Sequence, residues 1–198
     1  KAVGLTMEYH PHSSDSIYDA MCRMTDKQES MLVPLVEGTG GFSKVYFDQP
    51  PAADRYTEVK EHKNAGEFFM DIEGGSWKPL EAGFGEEPEV LPVTFPFILV
   101  SGASGLAVGF SSTLPSFNLG DVLDLTEKVL SGKEITEEDI IVPDFPTGGH
   151  IIYDKEELMK LLFSGNARLT IRAGVEIRGK SIIVSEVPVG RTTKHIIN

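Results

Sequence analysis

The sequence predicts a protein of the α+β class, with helices and antiparallel strands in separate stretches of the chain. Apolar residues recur at helical spacing after Ser13 and again after Asp154. Residues 168–184 instead alternate between apolar and polar side chains, as expected for paired strands. A chain of 198 residues is long enough to bury a hydrophobic core in one or two domains. We therefore expect ordinary packing to stabilise the fold.

The first predicted helix covers residues 16–27, because favourable N-cap residues precede apolar positions at helical spacing. The caps are Ser13, Ser14 and Asp15, and the apolar positions are Ile17, Met21 and Met24. Glycines at residues 38–41 interrupt regular structure, and residues 45–47 predict a strand. A second helix is predicted over residues 57–72, with Ala65, Phe69 and Ile72 facing inward. Tyr56 would then lie at a loop-to-helix junction.

An acidic, glycine-rich connection over residues 74–85 leads to the second half of the chain. Residues 91–109 predict short strands around Pro92, Pro96 and a turn over residues 101–105. Helices are predicted near residues 121–130 and 136–141. We expect the amino-terminal and carboxyl-terminal halves to be separate domains.

The last part of the chain predicts a capped helix followed by a hairpin. Asp154 is a favourable N-cap, Gly165 is placed to end the helix, and Leu158, Leu161 and Leu162 should face the core. After it, a turn at residues 179–180 joins two strands, so we expect an antiparallel hairpin with one basic face.

Composition excludes several classes of protein. Cys22 is the only cysteine, so no intramolecular disulfide can form, which fits a cytoplasmic location. Apolar runs such as residues 93–100 are too short to span a bilayer, and we expect no membrane contact. The net charge of -12 argues against a general nucleic-acid coat, although residues 146–198 carry eight Lys+Arg against five Asp+Glu. Because the chain starts at Lys1 and stops just after a strand-like run, we expect it to be part of a longer protein.

Single motifs leave the function open. His10 and His12 with Asp15 lack further ligands at a recognisable metal-site spacing, so surface histidines in a turn are the favoured interpretation of this motif alone, and phosphate contacts are an alternative. Residues 101–105 are glycine-rich but lack the lysine of a phosphate-binding loop. Five tyrosines are present, and position alone does not distinguish a nucleophile from packing residues.

An ordered set of longer motifs covers nearly the whole chain. The motifs are Tyr9-His-Pro-His12, Ser16-Ile-Tyr-Asp-Ala-Met21, Leu35-Val-Glu-Gly38, Ala52-Ala-Asp-Arg-Tyr-Thr-Glu58, Gly102-Ala-Ser-Gly-Leu-Ala-Val-Gly109, Asn118-Leu119, Pro143-Asp-Phe-Pro-Thr-Gly-Gly149 and Glu186-Val-Pro188. In order and spacing they resemble the A subunits of bacterial type IIA DNA topoisomerases, DNA gyrase and topoisomerase IV. The resemblance implies part of a winged-helix (CAP-like) DNA-binding domain over residues 1–91 and part of an α/β tower domain over residues 92–198.

The resemblance also implies a function. The chain would belong to the subunit that cleaves and rejoins DNA in an ATP-dependent type II topoisomerase, through a transient 5'-phosphotyrosine link. Tyr56 would be the nucleophile and Arg55 its charge partner, because a guanidinium favours both a phenolate and a negative transition state. The residues implied to contact DNA are His10, His12, Ser14, Ser16 and the wedge residue Leu114. Asp15 and Asp19 match positions of the family's fluoroquinolone site.

The resemblance further implies partners and cofactors. Double-stranded DNA, the B subunit of the enzyme and a second copy of the cleaving subunit would be the partners. No cofactor would bind this chain, because Mg2+ and ATP would act through the B subunit, and the isolated chain would be inactive. The resemblance does not separate gyrase from topoisomerase IV.

Two departures from the family pattern favour an alternative. Ser13-Ser14-Asp15 stands where the family usually has Gly, an acid and Ser, so a carboxylate replaces a DNA-facing hydroxyl. Asp54 precedes Arg55 where a neutral residue is common. The alternative is a divergent, catalytically weak DNA-binding or structural relative. An acidic metal hydrolase would rest on His10 and His12 alone.

Overall fold

The computed structural model describes residues 1–80 and 85–197, and it combines helices with small antiparallel sheets, each of two strands. The predicted mixture of α and β structure is confirmed. The chain forms two compact units, Lys1–Lys44 with Gln49–Thr94 and Val45–Asp48 with Phe95–Asn198. Part of the predicted glycine-rich connection, residues 81–84, lies outside the described residues. Within the described residues no helix has the length and apolar character needed to cross a membrane.

The first unit begins with two helices and continues with two small sheets. Its elements in chain order are α1 (Ala2–Tyr9), α2 (Ser14–Met24), β1 (Val36–Gly40), β2 (Thr57–Glu61), α3 (Lys63–Phe68), β3 (Trp77–Pro79) and β4 (Glu86–Pro88). β1 pairs with β2 and β3 pairs with β4, both antiparallel. Its buried apolar residues are Val3, Cys22, Phe42, Ala65 and Leu80.

Helix α2 confirms the first predicted helix, with shifted ends. The helix begins after Ser13, whose side chain makes no capping hydrogen bond. It ends at Met24 because both the N–H and the hydroxyl of Thr25 donate to the Cys22 carbonyl, at 3.1 and 2.7 Å. Helix α1 has no counterpart among the predicted elements.

The predicted strand over residues 45–47 and the predicted helix over residues 57–72 are wrong in this form. The strand lies earlier, in β1, and residues 57–61 form its partner β2, with Gly38 opposite Val59. Hydrogen bonds to β1 favour a strand at residues 57–61 although the apolar residues have helical spacing, because the partner strand comes from a distant part of the chain. Only Lys63–Phe68 is helical, and Ala65 is buried as expected. Tyr56 therefore ends a short 3-10 turn that leads into a strand.

The second unit contains three antiparallel strand pairs and four helices among its described residues. The elements are α4 (Phe97–Ser101), β5 (Ala103–Ala107), β6 (Phe110–Leu114), α5 (Leu119–Leu130), β7 (His150–Ile151), α6 (Lys155–Ser164), β8 (Ile171–Arg172), β9 (Gly174–Arg178), β10 (Ser181–Glu186) and α7 (Thr193–Ile197). The pairs are β5 with β6, β7 with β8, and β9 with β10. The buried apolar residues are Phe95, Val100, Phe117, Val122, Leu158 and Val187.

Helix α6 matches its prediction almost completely. The Asp154 carboxylate accepts hydrogen bonds from Glu156 N at 3.0 Å and Glu157 N at 3.2 Å. Gly165 ends the helix with a left-handed φ of 68°, which glycine adopts without a steric penalty. Leu158 is fully buried, but Leu162 is exposed, so its inward placement is corrected.

Other predictions in this unit hold in part. The helix near residues 121–130 is confirmed as α5, whereas residues 136–141 contain only a 3-10 turn, Glu137–Asp139. The short strand expected just after Pro96 is wrong, because Phe97–Ser101 is helix α4. The expected turn at residues 101–105 is also wrong, because Gly102 ends α4 and residues 103–107 form strand β5. The predicted hairpin around residues 179–180 is confirmed as β9 and β10. Its apolar residues Val175, Ile177 and Ile182 are exposed, so the chain's own core does not cover them.

Thr136 and Asp139 form a capping box at the 3-10 turn Glu137–Asp139. From this contact we predict how the stability of the fold in acid depends on the Asp139 carboxyl group. The Lys128 ammonium and the Thr136 N–H hold the pKa of Asp139 at about 2, below its usual 3.8. A lowered pKa in the folded state contributes stability above the unfolded pKa and loses it as pH falls towards 2. We expect Asp139→Asn to be less stable than the unchanged chain above pH 5, with the difference shrinking towards pH 2.

Urea unfolding between pH 2 and pH 7 measures this difference. Asp124→Asn, on the exposed surface of α5, is the control and should leave the pH dependence nearly unchanged. A difference for Asp139→Asn that stays constant across this range would contradict the role of the capping box.

Candidate functional site

Helices α1 and α2 contact each other and are joined by residues 10–13. His10 follows the last residue of α1, and its N–H donates to the Thr6 carbonyl at 2.8 Å. His12 lies in the connection and is exposed. On α2 the exposed residues include Ser14, Asp15, Ser16, Asp19 and Arg23, whereas Cys22 is buried. The predicted contact residues of this segment, together with both aspartates, therefore lie on solvent-facing surface.

His10 takes part in a polar contact network that the sequence did not indicate. Its Nε2 lies 2.7 Å from Glu87 Oε2, and Lys78 Nζ lies 3.2 Å from the other oxygen of that carboxylate. Glu87 is the better shielded partner, with 16% of its side chain exposed against 58% for His10. β3 and β4 bring these residues together, and no local motif marks Glu87.

Tyr56 and Arg55 occupy a short 3-10 turn, Asp54–Tyr56. Tyr56 is 67% exposed, and its hydroxyl is therefore accessible to a large substrate. The Arg55 guanidinium carbon lies 4.8 Å from the centroid of the Tyr56 ring, in a cation–π arrangement. The pair predicted from the sequence is thus in contact, with the cation over the ring face.

Backbone contacts fix both ends of this turn. At its start, Ala52 N donates to the Gly41 carbonyl at 2.7 Å, and at its end Thr57 pairs with Gly40 in the β1–β2 ladder. Gly40 has a φ of 116°, and a Cβ there would lie 2.6 Å from the Tyr56 carbonyl oxygen. Only glycine permits this close approach.

Tyr18 on α2 contacts the same turn. Its hydroxyl lies 2.7 Å from the Ala52 carbonyl oxygen and 3.0 Å from Thr57 Oγ1. Burial raises the pKa of Tyr18, with a smaller opposing effect from the Thr57 hydroxyl. Tyr18 was not among the predicted site residues, and the sequence contains no local signal for this contact.

Leu114 belongs to the second unit, where it ends β6 opposite Ala103. It is half-buried. The segment after it is anchored, because Phe117 N donates to the Leu99 carbonyl at 2.8 Å and the Asn118 side chain caps α5. Leu114 therefore lies at the end of a hairpin strand, and hydrogen bonds hold the segment that follows it in place.

The described residues contain no group of three His, Cys, Asp or Glu side chains arranged to hold a metal ion. His10 is engaged by Glu87 and Lys78 lies beside that carboxylate, which would oppose a cation there. The geometry of this segment does not fit a metal centre.

Comparisons with known proteins identify the relatives of the chain. A family model that describes the A subunits of DNA gyrase and topoisomerase IV matches residues 1–198. The chain is 40% identical over 194 residues to the DNA gyrase A subunit of Haloquadratum walsbyi, covering 94% of this chain and 22% of that protein. The corresponding proteins of Kosmotoga olearia and Thermotoga maritima are 36% and 37% identical, covering 100% and 96% of this chain and 25% of each relative.

The chain thus spans about a quarter of the length of these curated relatives. The match extends over both compact units, and the resemblance inferred from the ordered motifs is confirmed. The chain belongs to the family formed by the A subunits of DNA gyrase and topoisomerase IV.

Proposed function

We propose that this chain is part of the DNA-cleaving and rejoining subunit of an ATP-dependent type II DNA topoisomerase. One observation carries the proposal: in a chain of this family, an exposed tyrosine and an adjacent guanidinium lie together on an anchored turn. The relatives are named as A subunits of DNA gyrase. The whole assembly would change DNA topology by passing one duplex through a transient break in another.

The proposed step is a phosphoryl transfer in which atoms balance. The Tyr56 phenol loses its proton, and its oxygen forms a bond to a backbone phosphorus of DNA. The bond from phosphorus to the 3' oxygen breaks, and that oxygen leaves as a hydroxyl after taking a proton. Arg55 stabilises the negative charge that builds up on phosphate oxygens. Attack by the 3' hydroxyl reverses the step and reseals the strand without another reactant.

We assign the first unit to a winged-helix domain and the second to a tower domain. Two contacting helices with a four-residue connection, α1 and α2, support the first assignment, because a helix-turn-helix motif places its second helix in the major groove. His10, His12, Ser14 and Ser16 would donate hydrogen bonds to phosphates or neighbouring groups of DNA. Asp15 and Asp19 would form part of a fluoroquinolone site.

The proposed partners lie outside this chain. The protein would dimerise with a second copy and assemble with a B subunit that supplies ATP hydrolysis and Mg2+. Magnesium would neutralise phosphate charge during transfer. The roles proposed for Tyr56 and Arg55 involve only their own atoms. Cytoplasmic DNA would be the substrate.

The test is a covalent trapping experiment. The full-length protein that contains this chain is combined with its B subunit, Mg2+ and a duplex labelled at its 3' ends, and the reaction is stopped with detergent. Because the link is to a new 5' end, the labelled fragment should remain attached to the protein. A chelator added before the detergent should reverse the attachment through resealing. Tight DNA binding without any attachment would favour the alternative, a catalytically weak relative.

The Asp15 carboxylate supports that alternative, and an Asp15→Ser variant tests its effect. Asp15 puts a carboxylate on the exposed surface of α2, where it would repel phosphate. Asp15→Ser should therefore strengthen DNA binding if α2 lies in the groove. The same change should restore sensitivity of DNA cleavage to fluoroquinolones if this residue belongs to the drug site.

Leu114→Ala is expected to reduce DNA bending more than DNA binding. A wedge side chain unstacks a base step at a cost of a few kcal/mol, which added phosphate contacts offset. Truncation removes the wedge while the anchored segment after it keeps the backbone in position. Energy transfer between labels at the two ends of a duplex measures the bend. Leu106→Ala, at a 92% exposed leucine of the paired strand β5, is the control. An unchanged bend for Leu114→Ala would remove the wedge assignment.

A further inference from the structure

Tyr18 links helix α2 to both ends of the turn that carries Arg55 and Tyr56. Its hydroxyl reaches the Ala52 carbonyl before the turn, at 2.7 Å, and the Thr57 hydroxyl after it, at 3.0 Å. Thr57 Oγ1 also lies 3.1 Å from the Asp54 carbonyl oxygen, inside the turn. A single side chain of α2 thus contacts the segment on either side of Tyr56.

The two hydroxyl protons allow three arrangements, because each hydroxyl has one proton and the acceptors are the other hydroxyl and two carbonyl groups. Tyr18 donates to Ala52 while Thr57 donates either to Asp54 or to Tyr18, or Tyr18 donates to Thr57 while Thr57 donates to Asp54. In each arrangement at least one hydrogen bond joins Tyr18 of α2 to a residue that flanks the turn.

We propose that Tyr18 is a positioning residue, whose hydroxyl couples the placement of α2 on DNA to the placement of the Tyr56 nucleophile. This inference rests on the proposed function. DNA in contact with the exposed surface of α2 fixes the position of that helix. The hydrogen bonds of the Tyr18 hydroxyl then fix the position of the turn relative to α2. Tyr56 then meets a phosphate in a geometry that α2 has already selected.

The properties of the two tyrosines suit different tasks. Tyr18 is half-buried and its hydroxyl is already within hydrogen-bond distance of two partners, whereas Tyr56 is 67% exposed. Burial raises the pKa of Tyr18, which keeps its hydroxyl protonated as a donor. Positioning matters because a misplacement of about 1 Å at a reacting group costs about a hundredfold in rate.

The experiment uses Tyr18→Phe in the full-length protein assembled with its B subunit, and it separates DNA affinity from the chemical step. Phenylalanine retains the ring and removes only the hydroxyl. We expect the DNA dissociation constant to change by less than about twofold. The single-turnover rate of adduct formation at saturating DNA should fall about tenfold to a hundredfold. Tyr153→Phe, on an exposed tyrosine of the second unit, is the matched control and should leave both quantities unchanged.

Thr57 provides an independent pair of variants. Thr57→Val removes the second hydroxyl and leaves the contact from Tyr18 to Ala52, so a smaller loss of rate is expected. Thr57→Ser retains the hydroxyl and should stay close to the unchanged enzyme. If Tyr18→Phe fails to fold, the contrast between valine and serine at this position decides the matter in the same assay.

The outcomes separate this inference from the proposed function. An unchanged adduct rate for Tyr18→Phe, with adduct formed normally, overturns the positioning role alone. An equal loss of DNA affinity and rate, accompanied by a lower melting temperature, also overturns it, since that pattern indicates a structural role. Absence of any adduct from the unchanged enzyme overturns the proposed function and this inference together.

Discussion

Tyr56→Phe is expected to abolish covalent attachment to a DNA 5' end while folding and DNA binding persist. The ring remains, so the Arg55 guanidinium keeps its stacking surface, but the hydroxyl oxygen proposed to form the bond to phosphorus is lost. No other side chain on this turn carries a replacement nucleophile of the same kind. The loss should therefore reach the detection limit of the assay.

Peptide mapping of the trapped complex identifies the attachment site directly. The adduct should lie on the peptide that contains Tyr56. Tyr153→Phe is the matched control, because Tyr153 is 65% exposed but follows no arginine, and it should retain full attachment. An adduct on Tyr9, Tyr18, Tyr46 or Tyr153 would overturn the assignment.

Arg55→Ala is expected to slow cleavage about a hundredfold or more while the nucleophile remains. Loss of one preorganised charge donor typically costs this much in acyl-transfer and related reactions. In the free chain the guanidinium lies over the Tyr56 ring at 4.8 Å. To contact phosphate oxygens, the Arg55 guanidinium would extend past the edge of the Tyr56 ring. Stacking on that ring would keep the guanidinium near the proposed nucleophile before DNA binds.

Two further variants separate charge from shape at this residue. Arg55→Lys retains the positive charge but loses the planar, bidentate group, so an intermediate rate is expected. Arg178→Ala removes a cation that is paired with Glu176 in the second unit, and it should not alter the rate at saturating DNA. Equal rates for Arg55→Ala and the unchanged enzyme would show that Arg55 has no part in the chemical step.

Elements whose signals are local were predicted well. Helix α6 has its cap at Asp154, its left-handed terminator at Gly165 and a buried Leu158, all readable within one short stretch. The hairpin of β9 and β10 likewise follows from alternation and a two-residue turn. Capping and tight turns involve neighbours in sequence, and the residue types are therefore sufficient to specify them.

Elements that depend on distant partners were predicted poorly. Residues 57–61 have helical spacing of apolar residues, yet they form β2 because β1 supplies a ladder partner across the intervening loop. The exposed residues Val175, Ile177 and Ile182 show the same limit, since alternation predicts a face but not what covers it. Pairing and burial are properties of the folded chain.

The sequence by itself determined the family, through motifs that occur in order along the chain. The choice of Tyr56 among five tyrosines is a prediction that follows from this resemblance. Only the tertiary structure revealed that Glu87 holds His10 and that Tyr18 spans the turn from Ala52 to Thr57. These contacts join residues far apart in the chain, and a hydrogen bond or ion pair requires its two atoms to lie within a few ångströms. The residue types determine which groups are able to form hydrogen bonds or ion pairs. The tertiary structure determines which of these groups lie close enough to form them.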